Sequence, residues 1–264
     1  MARSEPGISR IALITGGASG MGRVMAVRLA DRGWRVAIVD LNPAMLAETA
    51  GLAPGIRTYT ADVADTAQVR DVVGKITADM GPIDRLATAA AIMPALAIDA
   101  MPAETFAKVM RVNYEGTVNF VKAVLPQMRS RGSGEIVLFG STAGVIPAEH
   151  FAAYGATKAA VNLFGEVLSQ ETRGTGIRVL TVRPAAVNTP LIAQASGEGG
   201  LKGLDRQLKK GTMTGPETIV DAIEAALAKP GLDVLYPTGE AWFAQFIRRL
   251  SPGLTWKLVR AMSQ

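Results

Sequence analysis

Apolar residues follow two alternating patterns along the chain. Short continuous apolar runs, typical of buried strands, alternate with longer stretches in which apolar residues recur every three or four positions, as on one face of a helix. The predicted strands cover residues 10–15, 34–40, 56–61, 83–90, 135–139, 177–182 and 233–236. The predicted helices cover residues 21–32, 66–80, 102–129, 151–172 and 217–228. This order predicts a Rossmann-type α/β fold, in which a doubly wound parallel sheet of about seven strands carries helices on both faces.

The composition suits one globular domain, which we expect to span residues 1–264. Hydrophobic residues make up 48% and charged residues 19%, enough for a large core and too little charge for a disordered chain. The chain has no cysteine and one histidine, His150, so we predict no disulfide and no bound metal.

Charge and hydropathy exclude further classes of protein. The net charge is +5, but the basic residues are scattered, which argues against a nucleic-acid binder. The segment Met1–Arg10 has no apolar stretch, and no run approaches the roughly 18 apolar residues of a membrane span. We therefore expect a cytoplasmic protein.

A glycine-rich turn, TGGASGMG over residues 15–22, follows the first predicted strand and opens the first predicted helix. Glycine lets backbone amides approach a pyrophosphate, and the N-terminus of a helix favours its negative charge. The spacing Gly16-x-x-x-Gly20-x-Gly22 in this context predicts a dinucleotide site. An isolated match of this kind is also compatible with a plain strand-to-helix turn.

Asp40 ends the second predicted strand. A carboxylate at that place accepts hydrogen bonds from the adenosine ribose hydroxyls of NAD and repels the 2′-phosphate of NADP. Leu41 follows it, and Ser19 rather than a basic residue precedes Gly20. These residues predict NAD as the cofactor, whereas the alternative interpretation of Asp40 is a cap of the next helix.

Tyr154 and Lys158 lie four residues apart, and therefore on one face of a predicted helix. A free phenol has a pKa of about 10, and a nearby ammonium lowers that pKa by stabilising the phenolate. Ser141 adds a hydroxyl that can hold a substrate oxygen. Together with the glycine turn, these residues predict a nicotinamide-dependent alcohol/ketone oxidoreductase with Tyr154 as general acid/base. Taken singly, each has a structural alternative: a core tyrosine, a solvent-facing lysine and a serine at a strand end.

From about residue 10 to 236, the chain resembles the short-chain dehydrogenase/reductase family. The motifs that carry this resemblance stand in the family's order: the glycine turn, Asp62-Val63, Asn113, Ser141, Tyr154-x-x-x-Lys158, and Pro184 with Thr189. The resemblance implies the catalytic residues Asn113, Ser141, Tyr154 and Lys158. It implies the cofactor-binding residues Gly16, Ser19, Gly20, Met21, Gly22, Asp40, Leu41, Asp62, Val63, Ala90, Tyr154, Lys158, Pro184, Val187 and Thr189.

The resemblance also implies individual roles. Lys158 would bind the nicotinamide ribose, and Thr189 the nicotinamide carboxamide. Asp62 and Val63 would contact the adenine. Asn113 would kink the long helix and hold a water molecule in a proton relay.

The sequence departs from the family pattern in four places. Thr88-Ala89-Ala90-Ala91 replaces the usual Asn-Asn-Ala-Gly, and Gly140 stands where a second serine is common. Arg183 stands where asparagine is usual, and Ala185 stands for glycine. None of these changes removes a catalytic group, so we expect them to affect cofactor affinity and pocket shape.

The residues that would line the substrate pocket by the same resemblance are Met93, Val145, His150, Phe151, Ala186 and Leu191. Because they are mostly apolar, they favour a hydrophobic secondary alcohol or ketone as substrate. The alternatives are an NADPH-dependent reductase of ketones or 3-oxoacyl thioesters, and a non-catalytic NAD-binding regulator. Residues 190–215 are predicted to form a substrate lid, or else an exposed loop.

The C-terminal extension, residues 239–264, is amphipathic. Its first part places apolar side chains on one helix face, at Trp242, Phe243, Phe246, Ile247 and Leu250. Basic residues lie close to them, a pattern compatible with peripheral contact to a membrane surface. We instead predict that the extension packs against protein, within a homodimer or homotetramer.

Overall fold

The computed structural model describes residues 9–195, 211, 213–251 and 253. Seven parallel strands form one sheet in the order β3-β2-β1-β4-β5-β6-β7. The strands are β1 (Ile11–Thr15), β2 (Arg35–Asp40), β3 (Ile56–Thr60), β4 (Arg85–Thr88), β5 (Gly134–Phe139), β6 (Ile177–Val182) and β7 (Val234–Leu235). The predicted single-domain, doubly wound α/β fold is confirmed.

Helices cover both faces of the sheet. They are α1 (Gly20–Asp31), α2 (Pro43–Ala50), α3 (Thr66–Met80), α4 (Ala103–Met110), α5 (Gly116–Arg131), α6 (Ala152–Glu171), α7 (Pro190–Ala193), α8 (Pro216–Leu227) and α9 (Gly239–Leu250). The apolar periodicity did not reveal α2. It is only eight residues long and starts at a cap, where the Asn42 side chain accepts a hydrogen bond from the Met45 amide.

A π-helical turn, Arg111–Glu115, joins α4 to α5. The sequence predicted one helix over residues 102–129, and the turn interrupts it at the position of Asn113. Insertions of this kind often mark functional sites in helices.

Two apolar layers sandwich the sheet. One contains Phe120, Met128 and Ile76, and the other contains Met25 and Leu29; all five side chains are fully buried. β1 is buried along its whole length: Ile11 and Leu13 contribute to the first layer, and Ala12 and Ile14 to the second. The helices are thereby fixed on both faces of the sheet.

The strand order places a topological switch point between β1 and β4. At that point the connection after β1 passes to one face of the sheet and the connection after β4 to the other. This divergence leaves a crevice beyond the carboxyl ends of the two strands. The Thr15 side chain holds the crevice edges together by accepting a hydrogen bond from the Ala90 amide at 3.2 Å. Open sheets of this type bind their ligands in this crevice.

Candidate active site

The glycine turn packs tightly at the end of β1. Gly16 has φ +66°, and a Cβ built on it would lie 2.7 Å from the Ala90 nitrogen. A Cβ on Gly22 would lie 2.3 Å from the Gly16 carbonyl oxygen. Both positions therefore require glycine. The side chain of Ser19 makes no capping hydrogen bond at the start of α1, which leaves first-turn amides available to an anion.

Asp40 bridges this turn to the start of α2. One carboxylate oxygen accepts from the Leu41 amide at 2.8 Å and the Asn42 amide at 3.3 Å, and the other accepts from the Ala18 amide at 3.3 Å. Because Asn42, not Asp40, caps α2, the capping alternative for Asp40 is wrong.

A groove of about 430 Å³ runs from Asp40 across the glycine turn to α7. Predicted cofactor residues form most of its wall, namely Gly16, Ser19, Gly20, Met21, Gly22, Asp40, Leu41, Asp62, Val63, Ala90 and Thr189. A glycine cradle at a helix N-terminus, with a carboxylate toward one end, fits a dinucleotide. Gln194 was missed by the sequence: its side-chain oxygen accepts from the Met93 amide at 2.8 Å on the groove wall.

Tyr154 and Lys158 lie side by side on α6, as their spacing predicts. Both are buried, and the Phe151 ring packs edge-on against Tyr154 with ring centres 6.1 Å apart. The Lys158 ammonium nitrogen lies 5.6 Å from the centre of the Tyr154 ring and donates to the Phe139 carbonyl oxygen at 2.7 Å. The adjoining strand end of β5 thus holds the lysine beside the tyrosine.

The two side chains have shifted pKa values. Burial raises the pKa of Tyr154 to about 12, while a side-chain hydrogen bond with Ser141 acts in the opposite direction. Burial lowers the pKa of Lys158 to about 8. The sequence predicted a lowered tyrosine pKa; in the chain alone the direction is opposite, because the loss of water around the phenol outweighs the hydrogen bond with Ser141.

Ser141 follows β5 and is held by Asn162, a residue that sequence reasoning missed. The Asn162 side chain donates to the Ser141 carbonyl oxygen at 3.0 Å and accepts from the Ser141 amide at 3.4 Å. This clamp explains Gly140, since a Cβ there would lie 2.1 Å from the Asn162 side-chain oxygen. The only signal in the sequence was the position of Asn162, one helical turn after Lys158.

Asn113 lies in the π-helical turn that interrupts the long helix. Its side chain donates to the Ile92 carbonyl oxygen at 2.9 Å and to the Thr157 hydroxyl at 3.1 Å, and accepts from the Ile92 amide at 2.9 Å. Asn113 therefore ties the loop after β4 to α6.

A second cavity, of about 230 Å³, adjoins the groove and contains Ser141, Tyr154 and Lys158. The predicted substrate residues Met93, Phe151, Ala186 and Leu191 line it, as do the predicted cofactor residues Pro184 and Val187. Ala91 and Ala185, two of the departures from the family pattern, also line it, whereas Arg183 does not.

Val145 and His150 do not line this second cavity. They line an adjoining groove of about 600 Å³, which shares Ala143, Ala148 and Phe151 with that cavity and includes Arg248 of α9. His150 adopts a left-handed conformation, φ +67°, and the nearby Ala148 and Phe151 line both the second cavity and this groove. A backbone reversal of this kind has no periodic signature in the sequence.

Most of the predicted lid, residues 196–210 and 212, lies outside the described residues. The described part of the predicted lid includes α7 and Thr214, which pairs with Val187 in an isolated parallel bridge. The second half of the C-terminal extension also lies outside them.

The first half of that extension is α9, whose apolar face is exposed in the single chain. Trp242 and Phe246 stack with ring centres 5.5 Å apart, and both remain about half exposed. Within the part of the chain that the structure describes, no helix is long and apolar enough to cross a membrane. Burial of the extension against a partner chain stays a prediction.

Comparison with known proteins agrees with this fold. The family model for short chain dehydrogenases matches residues 10–198. The chain belongs to the short-chain dehydrogenase family. Members of this family are oxidoreductases that use nicotinamide cofactors, act on alcohol and ketone groups and commonly form oligomers.

Two relatives and one solved structure illustrate the similarity of this short-chain dehydrogenase to others. It is 34% identical over 227 residues to 2,3-dihydro-2,3-dihydroxybenzoate dehydrogenase of Bacillus subtilis, covering 81% of this chain and 87% of the relative. It is 32% identical over 242 residues to 2-(R)-hydroxypropyl-CoM dehydrogenase of Xanthobacter autotrophicus, covering 89% and 96%. The crystal structure of a short-chain dehydrogenase from Streptomyces avermitilis has a TM-score of 0.81 and 27% identity, covering 97% of this chain and 100% of that one.

Proposed function

We propose that this short-chain dehydrogenase interconverts a hydrophobic secondary alcohol and its ketone, with NAD(H) as cofactor. The observation that carries the proposal is the juxtaposition of two cavities. An apolar cavity containing Tyr154 and Ser141 adjoins a dinucleotide-shaped groove with Asp40 in its wall.

The groove residues would hold the dinucleotide, and its nicotinamide would supply the hydride acceptor for oxidation of the alcohol carbon and the hydride donor for reduction of the ketone carbon. Tyr154 exchanges the proton of the substrate oxygen, accepting it during oxidation and donating it during reduction. Ser141 orients that oxygen, and the Asn162 clamp fixes the backbone of Ser141. Lys158 lies close enough to stabilise a developing phenolate on Tyr154.

Asn113 takes a supporting part in this scheme. Its side-chain hydrogen bonds to Ile92 and Thr157 hold the loop that follows β4 against α6. Both segments form walls of the site. The proton relay implied by the family resemblance remains a prediction for this residue.

The preference for NAD follows from the charge of the groove. Asp40 would meet the adenosine ribose hydroxyls and repel a 2′-phosphate. The adjacent cation, Arg23, donates to the Ala18 carbonyl oxygen and the Thr49 hydroxyl at 2.9 Å, so its guanidinium is already engaged. These contacts disfavour the NADPH-dependent alternative.

The lining of the substrate cavity supports an uncharged hydrophobic substrate. Its polar side chains are Ser141, Thr142, Tyr154, Lys158 and Thr189, and the remaining lining is apolar or glycine. Among the residues that the structure describes, the cavity lining includes no arginine that could pair with a carboxylate. A hydroxy acid is therefore a poorer fit than a simple cyclic or branched alcohol.

The family's tendency to form oligomers leads us to propose a homodimer or homotetramer. The outer face of α6 exposes Leu163 and Val167, which are 64% and 48% exposed in the single chain. Apolar side chains exposed on a helix face commonly pack against another subunit.

The proposal is tested with Tyr154→Phe, assayed for NADH formation and consumption over a panel of hydrophobic alcohols and ketones. We expect turnover to fall at least about 10²-fold, because general acid/base catalysis is worth 10²–10⁴. NADH binding, followed by fluorescence, is expected to persist. The control is Tyr59→Phe, which removes a hydroxyl bonded to Asp79 at 3.0 Å, away from the site.

Near-normal turnover in Tyr154→Phe would contradict the assigned role. If the wild-type protein binds NADH but turns over no member of the panel, the non-catalytic regulator becomes the better description.

A further inference from the structure

A buried arginine joins three parts of the fold just beneath the candidate site. Arg183 follows β6 and is only 4% exposed. Its guanidinium donates to the Tyr236 hydroxyl at 2.8 Å and to the Asn162 main-chain oxygen at 3.3 Å, and it pairs with Glu166. The bonded groups lie beyond β7 and on α6.

The C-terminal helix reaches this arginine through one side chain. The Tyr236 hydroxyl accepts from Arg183 and donates to the side-chain oxygen of Gln245 on α9. The hydroxyl thus uses its donor and its acceptor capacity in one chain of hydrogen bonds. The hydrogen bonds within such a chain polarise and strengthen one another, so the loss of one bond weakens the others.

On its other side, the arginine borders two supports of the catalytic serine. The first is Asn162, whose main-chain oxygen accepts from Arg183 and whose side chain clamps Ser141. The second is Pro184, the next residue, whose carbonyl oxygen accepts from the Thr142 amide at 3.0 Å and from the Thr142 hydroxyl at 3.2 Å. A shift of Arg183 would therefore disturb both the Asn162 side chain that clamps Ser141 and the Pro184 carbonyl that holds Thr142, the residue after Ser141.

We propose that Gln245, Tyr236 and Arg183 are positioning residues through which α9 holds Ser141 in place. The C-terminal helix is then a working part of the active site, although none of its described side chains lines the substrate cavity. A buried guanidinium needs its partners, because an unpaired charge in the interior is costly. Loss of the Gln245 acceptor leaves the Tyr236 hydroxyl, which links α9 to this guanidinium, without one of its two partners.

The test compares Gln245→Leu, which removes the acceptor oxygen, with Gln245→Glu, which keeps it. Amide hydrogen exchange is measured at residues 141–143, where the Thr142 and Ala143 amides donate hydrogen bonds at 3.0 Å. We expect Gln245→Leu to speed exchange there about fivefold or more, because the opening free energy of the segment falls by roughly 1 kcal/mol with one lost hydrogen bond. Gln245→Glu and the control Gln170→Leu, at an exposed position of α6, are expected to exchange like the wild type.

Kinetics give a second readout, which rests on the proposed function. We expect kcat to fall roughly tenfold in Gln245→Leu, less than the 10²-fold cost of a 1 Å misplacement. The dissociation constant of NADH is expected to stay unchanged, because the groove residues are untouched. Gln245→Glu should restore kcat.

Unchanged exchange at residues 141–143 in Gln245→Leu, or equal acceleration in both Gln245 variants, overturns the proposal. If Gln245→Leu does not fold, Tyr236→Phe removes the same link and is judged by its exchange at the same residues. Because exchange is measured without substrate, absence of turnover in the wild type would refute the proposed function and leave this test intact.

Discussion

Replacing Lys158 by methionine should make the protein more stable at neutral pH while it loses activity. The native chain buries Lys158 and lowers its pKa from 10.5 to about 8. The unfolded chain keeps the ordinary value. Between these two pKa values the unfolded state holds more protons, so wild-type stability rises with pH across this window, and the full penalty for burying the charge applies below pH 8.

The shift sets the size of the effect. A pKa difference of about 2.5 corresponds to about 3 kcal/mol of lost stability at pH 7. Methionine removes this penalty but leaves the Phe139 carbonyl oxygen without its 2.7 Å partner, which costs about 1 kcal/mol. The net expectation is a gain of about 2 kcal/mol at pH 7 that largely disappears by pH 10.

Urea unfolding of the cofactor-free proteins at pH 7 and pH 10, at one protein concentration, measures this difference. The raised pKa of Tyr154, about 12, lowers the stability of both proteins as pH rises from about 10 to 12, so the series stops at pH 10. Lys122→Met, at an exposed position of α5, is the control and should show no such pH dependence. A stability difference between Lys158→Met and wild type that is equal at both pH values, or a loss of stability at pH 7, would refute the reasoning.

Two further predictions address the cofactor groove and the serine clamp. Asp40→Ser combined with Leu41→Arg should shift the ratio of kcat/KM from NAD toward NADP, because the repulsive carboxylate is replaced by a cation; a wild type that already prefers NADP would contradict the role of Asp40. Gly140→Ala should lower kcat, since its Cβ would lie 2.1 Å from the Asn162 oxygen that holds Ser141. Adding Asn162→Ala should recover the thermal stability that Gly140→Ala loses, because the clashing side chain is gone, but it should not restore kcat. Thermal unfolding measures the stability of each variant, and additive losses from the two substitutions would exclude the clash.

Local features of the sequence were sufficient to predict the parallel sheet and the groove. Apolar runs and helical periodicity depend on neighbours within a few residues, and they gave the strands and most helices. The glycine turn was recognisable from the short spacing of Gly16, Gly20 and Gly22, and the structure gives the steric reason for Gly16 and Gly22. The four-residue spacing of Tyr154 and Lys158 likewise fixes their common helix face before any tertiary contact forms.

Tertiary structure decided what depends on groups far apart along the chain. Asn162 clamps a serine 21 residues away, and Arg183 joins α6 to Tyr236, 53 residues further on. Chain packing put His150 on a groove next to the cavity that contains Ser141 and Tyr154, and the depth of burial reversed the direction predicted for the pKa of Tyr154. Hydrogen-bond partners and desolvation arise only when distant segments pack together, because each is set by the three-dimensional surroundings of a group rather than by its neighbours in sequence.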